Sequence, residues 1–147
     1  MRGKLIAGLC TAAVSVVVVA PAEAAKWRGK TSAGRLAAVH TGADGLVSMV
    51  RIKYRVVCSD NKVLNTGVVF LPTLDHSTPS AFRDGGVFRW RIKGGERARA
   101  RVSVDGGLRR SGRWTGNFSI RVRITKRGRY VATCRVPHLG WKASPVT

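Results

Sequence analysis

The sequence predicts an all-β protein, a single antiparallel β-sandwich or small barrel of about eight strands that follows an N-terminal signal peptide. Apolar and polar side chains alternate with a period of two over several long runs, a pattern typical of half-buried strands. Clusters of Gly, Asp and Asn end these runs at intervals of roughly 8–16 residues. Such short connections favour antiparallel pairing, because parallel strands need long crossover segments.

The first 24 residues have the composition of a secretory signal peptide. A short cationic start precedes an apolar run over residues 5–20, and Pro21 ends that run. Ala22 and Ala24 place small side chains at the two positions that signal peptidase recognises, which predicts cleavage after Ala24. We therefore expect a secreted β domain of residues 25–147 with no transmembrane span. A retained anchor is the alternative, although the apolar run is shorter than the ~18–20 residues that cross a bilayer.

The predicted strands begin with two weaker runs, residues 26–31 and 35–41, and continue with a clear alternation over residues 46–58. In this third run the even positions are mostly apolar and the odd positions include the cations Arg51, Lys53 and Arg55. Alternation recurs at residues 88–93, 97–104, 113–124 and 130–136, and weaker strands are predicted at residues 63–71 and 141–144. Residues 72–80 form the longest irregular stretch, which contains two prolines and predicts a loop.

The chain is strongly basic, with 27 Lys plus Arg against seven Asp plus Glu in 147 residues, a formal charge of +20. Loss of the signal peptide removes two basic residues and one acidic residue, which leaves a charge of +19. A hydrophobic content of 44% excludes disorder driven by charge alone, and the length indicates one domain. The cations include 19 arginines, whose guanidinium groups bind phosphate, sulfate or carboxylate with two parallel hydrogen bonds.

Alternation places many of these cations on the outward faces of four predicted strands. If the strands are neighbours, rows of like charge lie about 5 Å apart across the sheet, and such rows favour capture of a polyanion. The candidate polyanion-binding residues are Arg51, Lys53, Arg55, Arg89, Arg91, Lys93, Arg97, Arg99, Arg101, Arg121 and Arg123.

Cysteine usage predicts one disulfide. Cys10 leaves with the signal peptide, so Cys58 and Cys134 remain as an even pair in an oxidising compartment. Both fall on the apolar parity of their strands, so we expect a buried bridge between an early and a late strand. Two cysteines with no histidine at ligand spacing do not make a structural zinc site, and we expect no metal and no cofactor.

Tryptophan placement argues against a nucleic-acid interface. Trp90 and Trp114 share the parity of apolar neighbours, which predicts both as core residues and not as exposed platforms for bases. Trp27 and Trp141 lie near the two ends of the domain, where contact between the first and last strands would stack them. We expect no physiological nucleic-acid ligand, because other polyanions are nearer to an exported protein.

The sequence contains no nucleophile, zinc-protease or phosphate-loop motif. Asp75, His76 and Ser77 carry the residue types of a catalytic triad, but a triad is a spatial arrangement and neighbours on one loop seldom converge. We therefore expect no catalytic residue. A small hydrolase that uses His76 or Glu96 is the least favoured alternative.

Short motifs link the chain to a known group. Trp27-x-Gly29-x-Thr31-x-x-Gly34 opens the domain, Cys58-Ser59-Asp60 ends a long strand, and a late Cys precedes a final Trp strand. With these motifs the chain resembles a loosely defined group of small secreted β-rich proteins of actinobacteria. The resemblance implies a β fold and export, and it assigns no site residues.

Together these observations predict a non-catalytic secreted protein that binds anionic cell-envelope or extracellular polymers through an arginine-rich sheet face. Teichoic acid, acidic glycans and lipid headgroups are the expected partners. The main alternative is a structural or protein-interaction domain without a specific polyanion ligand, because scattered surface cations also serve solubility alone.

Overall fold

The computed structural model describes residues 24–72 and 76–147, and within them it contains one antiparallel sheet of nine strands and no α-helix. The predicted all-β fold is therefore confirmed, whereas the predicted signal peptide lies outside the described residues except for Ala24. The strands are β1 (Lys26–Thr31), β2 (Leu36–Thr41), β3 (Val47–Cys58), β4 (Val63–Phe70), β5 (Ser77–Thr78), β6 (Ala81–Ile92), β7 (Glu96–Leu108), β8 (Trp114–Lys126) and β9 (Arg129–Pro145).

The sheet consists of two meanders, β1 to β4 and β5 to β9, joined where β1 pairs with β9. The resulting strand order is β4-β3-β2-β1-β9-β8-β7-β6-β5. A second junction forms at the end of β3, where Val57 and Cys58 pair directly with Arg135 and Cys134 of β9. The β1–β2 hairpin therefore fills a fork between β3 and β9.

The two meanders place their apolar faces against each other. Phe118 of β8 lies at the centre of this core, with its ring centroid 5.0 Å from that of Tyr54 on β3 and 6.3 Å from that of Phe70 on β4. Since β8 is not hydrogen-bonded to β3 or β4, these contacts show that the sheet folds back on itself. Trp114, Ile52 and Val39 are among the fully buried side chains. The inward side of each strand thus supplies the core that the alternation predicts.

Strand β9 differs from the prediction of separate strands at residues 130–136 and 141–144. It runs without a break, and a bulge at Pro137 and His138 shifts its register against β8. Inward positions change there from even, as at Cys134 and Val136, to odd, as at Leu139. A bulge tolerates proline because its extra residue leaves the hydrogen-bond ladder. The predicted loop over residues 72–80 likewise contains the two-residue strand β5.

The disulfide between Cys58 and Cys134 is present, as the sequence predicts. Both residues are buried and lie directly opposite each other at the second β3–β9 junction. The next residue, Ser59, secures the same corner, because its hydroxyl accepts a hydrogen bond from the N–H of Thr133 at 3.0 Å. The bridge therefore closes the fork that holds the β1–β2 hairpin.

A row of two glycines between two aromatic rings crosses four strands on the inward face. The register aligns Phe82 of β6, Gly106 of β7, Gly116 of β8 and Trp141 of β9. The rings of Phe82 and Trp141 stack with centroids 6.0 Å apart above the glycines. A Cβ on Gly116 would overlap the carbonyl oxygen of Asp105 and lie 2.6 Å from Trp141 Cζ2. The glycines are therefore required for the indole to lie flat on the sheet.

The two terminal tryptophans do not stack on each other as predicted. Strands β1 and β9 do pair, but Trp27 contacts the edge of Trp114, with centroids 6.2 Å apart. Its Nε1 donates a hydrogen bond to the carbonyl of Gly112 at 3.0 Å. Trp141 lies instead over the glycine row, where its ring stacks on that of Phe82.

Removal of the disulfide should lower the free energy of unfolding by roughly 4 kcal/mol, because the unfolded chain regains the freedom of a loop of 77 residues. The measurement is urea denaturation of the Cys58→Ala/Cys134→Ala double variant against the oxidised wild type. Reduced wild type is the control and should approach the variant. An unchanged midpoint in both would contradict the stabilising role of the bridge.

Gly116→Ala should lower the free energy of unfolding by roughly 1–3 kcal/mol, because the added methyl group overpacks the inward face. Thermal or urea denaturation measures the change. Gly140→Ala is the matched control, since no atom lies within 4 Å of a Cβ built there. Equal stability of the two variants would show that the glycine row does not constrain Trp141.

Candidate functional site

Four neighbouring strands, β6 to β9, carry arginines on their outward faces in register with one another. Arg89 of β6 lies opposite Arg99 of β7, which lies opposite Arg123 of β8. Arg91 pairs with Arg97. A further row joins β7, β8 and β9 through Arg101, Arg121 and Arg135. We call these eight exposed residues the arginine face: Arg89, Arg91, Arg97, Arg99, Arg101, Arg121, Arg123 and Arg135.

The arginine face has a defined boundary along β7. Beyond Arg101 the next outward residue is Ser103, whose hydroxyl is 2.7 Å from that of Ser119 on β8. One step further, Asp105 lies opposite Arg83 of β6. The acidic residue therefore meets a cation at the far end of the strands, while the three arginine rows contain no carboxylate.

No carboxylate neutralises the arginine face within the described part of the chain. The ion pair that the described residues do contain lies elsewhere: Lys62 Nζ is 3.1 Å from Asp60 Oδ2 on an exposed turn. Arg123 lies over the ring of Tyr130, 5.8 Å from its centroid. Hydrogen bonds from Ser59 and Thr133, together with the charge of Arg123, hold the pKa of Tyr130 below its ordinary value. Like charges directly opposite each other repel, so a bound anion would relieve a repulsion that no carboxylate of the described residues relieves.

Part of the arginine face is concave. Arg89, Arg91, Arg97, Arg99 and Arg123 line a surface pocket of about 550 Å³ near the β6–β7 turn. A pocket of this size admits a phosphate or sulfate group with several guanidinium groups in reach. The geometry therefore suits a multiply charged or polymeric anion better than one isolated ion.

The structure does not bring all eleven predicted cations together. Seven of them belong to the arginine face, and Lys93 lies in the turn after β6, outside the paired rows. Arg51, Lys53 and Arg55 lie on β3, and their partners on β4 are Val69, Gly67 and Asn65. No arginine is opposite them, because β3 belongs to the other meander.

Arg135 is a member of the arginine face that the sequence analysis missed. It follows Cys134, so its outward parity could have been deduced from the disulfide. Only the register of β9 against β8 shows that it extends the Arg101–Arg121 row.

The prediction of Trp90 as a core residue is wrong, whereas Trp114 is fully buried as predicted. Trp90 is 44% exposed and Phe88, two residues earlier, is 48% exposed. Both point inward from β6, but this strand is near the edge of the sheet, and its inward side opens on a cleft that faces β4. The alternation shows correctly to which side of the strand a side chain points, but it does not show whether another strand covers that side.

The candidate hydrolase residues do not converge within the described residues. Asp75 lies outside them, and Ser77 is buried, with its hydroxyl accepting a hydrogen bond from the N–H of Val47 at 2.9 Å. That bond ties β5 to the start of β3. Glu96 begins β7 opposite Ile92 and Lys126, at the other end of β6 from Phe82, which pairs with Ser77 beside His76. No group of three His, Cys, Asp or Glu suited to a metal ion occurs in residues 24–72 and 76–147.

Comparisons with known proteins add no relative. No protein-family model, curated protein or solved structure matches the chain. Its resemblance to small secreted actinobacterial proteins therefore stays a prediction. Among the residues that the structure describes, no helix is long and apolar enough to cross a membrane.

One histidine of the other meander has a perturbed titration. His40 of β2 lies opposite Lys26 of β1, and Arg51 of β3 lines the same shallow pocket. Burial lowers the pKa of His40 below its ordinary value of 6.5, and the charges of Lys26 and Arg51 lower it further. The folded protein therefore disfavours the protonated imidazole.

His40 should make the protein less stable in mild acid. Below its ordinary pKa of 6.5 the unfolded chain binds a proton that the folded chain binds less readily, so the free energy of unfolding falls as pH decreases. Above that value both states are neutral and the effect vanishes. We expect His40→Gln to lose less stability than wild type between about pH 7 and pH 5, measured by urea denaturation. Arg51→Gln should have a smaller effect of the same sign, and parallel curves for all three proteins would contradict this assignment.

Proposed function

We propose that the protein is a secreted, non-catalytic binder of an anionic polymer, and that the arginine face is the binding surface. The observation that carries this proposal is the register: arginine lies opposite arginine in three rows across β6 to β9, with no carboxylate in any row. Neighbouring strands lie about 4.8 Å apart, so each row presents guanidinium groups at close intervals. A chain of phosphate, sulfate or carboxylate groups laid across the rows relieves their mutual repulsion.

The proposed location outside the cell has two supports. The Cys58–Cys134 disulfide is typical of oxidising compartments, and the first 24 residues have signal-peptide composition. Polymers of the cell envelope and acidic glycans are the anionic ligands that an exported protein meets first. We therefore propose these polymers as the physiological partners.

Retention of the mature protein on immobilised inorganic polyphosphate should fall steeply with salt, because each neutralised phosphate releases a counterion. Replacing Arg97, Arg99 and Arg101 by Ser removes the three arginines that β7 contributes to the arginine face. We expect the slope of log affinity against log salt to decrease by roughly one for each arginine that contacts phosphate. Thermal stability should stay the same or rise, since the substitutions remove like-charge contacts.

The matched control is the substitution of Lys26, Arg28 and Lys30 of β1 by Ser, which removes the same net charge from exposed alternating positions of another strand. This variant should keep most of the wild-type salt slope. Equal losses in the two triple variants would show that net charge alone drives retention. Retention that is independent of salt, or no retention at low salt, would overturn the polymer proposal.

A further inference from the structure

A second, chemically different cavity lies on the inward side of β6. Strand β4 is hydrogen-bonded to β3 alone, and the part of β6 beyond Phe82 is hydrogen-bonded to β7 alone. These two strands lie on opposite sides of a cleft of about 590 Å³, with β3, β7 and β8 supplying its remaining walls. The cleft is therefore the place where the folded-back sheet stays open.

The lining of the cleft is almost entirely apolar. Leu64 of β4 and Phe88 and Trp90 of β6 form its rim and are each more than 40% exposed. Deeper in, Val56 and Val122 come from strands on either side of the core. Large apolar side chains exposed together around a concavity are typical of a binding site. An occupant without polar groups in its buried part fits this lining.

Few polar side chains line the cleft. They are Tyr54, Asn65 and Thr66. Burial raises the pKa of Tyr54 above its ordinary value, although a hydrogen bond with Thr66 opposes that rise. Tyr54 is therefore a neutral phenol with a local partner, and no charged side chain lines the cleft within the described residues.

Charge lies immediately beside the cleft. Trp90 lines both the cleft and the arginine pocket, so the two cavities lie on the two sides of β6 at this residue, where the other edge of the strand is unpaired within the described residues. Its chain neighbours Arg89 and Arg91 point to the outward side of the same strand and line the arginine pocket. An apolar cavity and a cluster of cations thus share one border on β6.

We propose that the cleft binds the acyl chain of an anionic amphiphile, a lipid with one chain in the cleft and its headgroup held by Arg89 and Arg91. An apolar lining without charge selects the hydrocarbon part, and the adjoining guanidinium groups select a phosphate or carboxylate headgroup. Binding of the headgroup rests on the proposed function, because it uses two arginines of the arginine face. Binding of the acyl chain does not, because the cleft is a different surface.

Binding is measured by titration of the mature protein with octyl, decyl and dodecyl phosphate below their micellar concentrations. The affinity should rise about fourfold for each added methylene, since each one leaves water for the apolar lining. The tryptophan fluorescence of the protein should shift to the blue as the acyl chain covers the exposed indole of Trp90. Octyl trimethylammonium and octyl glucoside, which share the chain but lack the negative charge, should bind more weakly.

Two substitutions on β4 provide a matched pair. Leu64 is 43% exposed and lines the cleft, whereas Val69 is 46% exposed and is absent from its lining. Leu64→Ser should weaken binding of dodecyl phosphate about tenfold, and Val69→Ser should leave it unchanged. Arg89→Ser/Arg91→Ser should weaken the alkyl phosphates while leaving octyl glucoside unaffected.

The outcomes separate this inference from the proposed function. If the alkyl phosphates bind with no dependence on chain length, the arginines bind phosphate alone and the acyl-chain site is overturned, while the polymer proposal stands. If chain length matters but retention on polyphosphate fails, the polymer proposal falls and the acyl-chain site stands. A dimer in ultracentrifugation that Leu64→Ser abolishes and Val69→Ser preserves would assign the cleft to a contact between two copies, and it would also overturn the inference.

Discussion

Burial of one side of every strand is the constraint on which the rest of this structure depends. Burial of a single Val, Ile or Phe side chain contributes roughly 1.5–3 kcal/mol, whereas a favourable cross-strand pair contributes only roughly 0.2–1 kcal/mol and like charges directly opposite each other are destabilising. A shift of register by one residue would exchange the two faces of a strand and place arginines such as Arg99 in the core. The apolar face therefore fixes the register, and the register in turn sets arginine opposite arginine on the outside.

This ranking of energies explains which features were predictable. The alternation gave the fold class, the inward position of Cys58 and Cys134, and the outward position of the cations, because each depends only on the direction of a side chain from its own strand. Membership of the arginine face was harder, since it depends on which strands are neighbours. Arg51, Lys53 and Arg55 have the same local pattern as Arg97, Arg99 and Arg101, yet they belong to the other meander. Arg135 joined the face only through the register of β9.

Exposure was the least predictable property. Trp90 and Phe88 have the same alternation as buried residues of β7 and β8, but no strand covers the inward side of β6 at that point. A period of two describes a strand and its two sides, and it carries no information about the partner that packs on either side. The bulge in β9 was unpredictable for the same reason. Nothing in the local pattern around Pro137 distinguishes a strand that ends from a strand that skips one residue.

The position of β6 near the edge of the sheet connects the two proposed sites. Its outward arginines and inward aromatics lie on one exposed strand, so a single backbone segment presents cationic and apolar surface together. Natural edge strands often carry charged side chains, which discourage pairing with an edge of another molecule. Arg89 and Arg91 therefore discourage another molecule from pairing with the free edge of β6, which has to stay open for the cleft to be accessible.

The cross-link between residues 58 and 134 has a further consequence for resistance to proteolysis. Strands β4 to β8 and their connecting turns all lie between the two sulfur-bearing residues. A protease that hydrolyses one peptide bond anywhere between them converts a closed covalent ring into an open one, and both products remain a single molecule. The two pieces stay covalently joined, so one nick in an exposed turn does not release half of the fold.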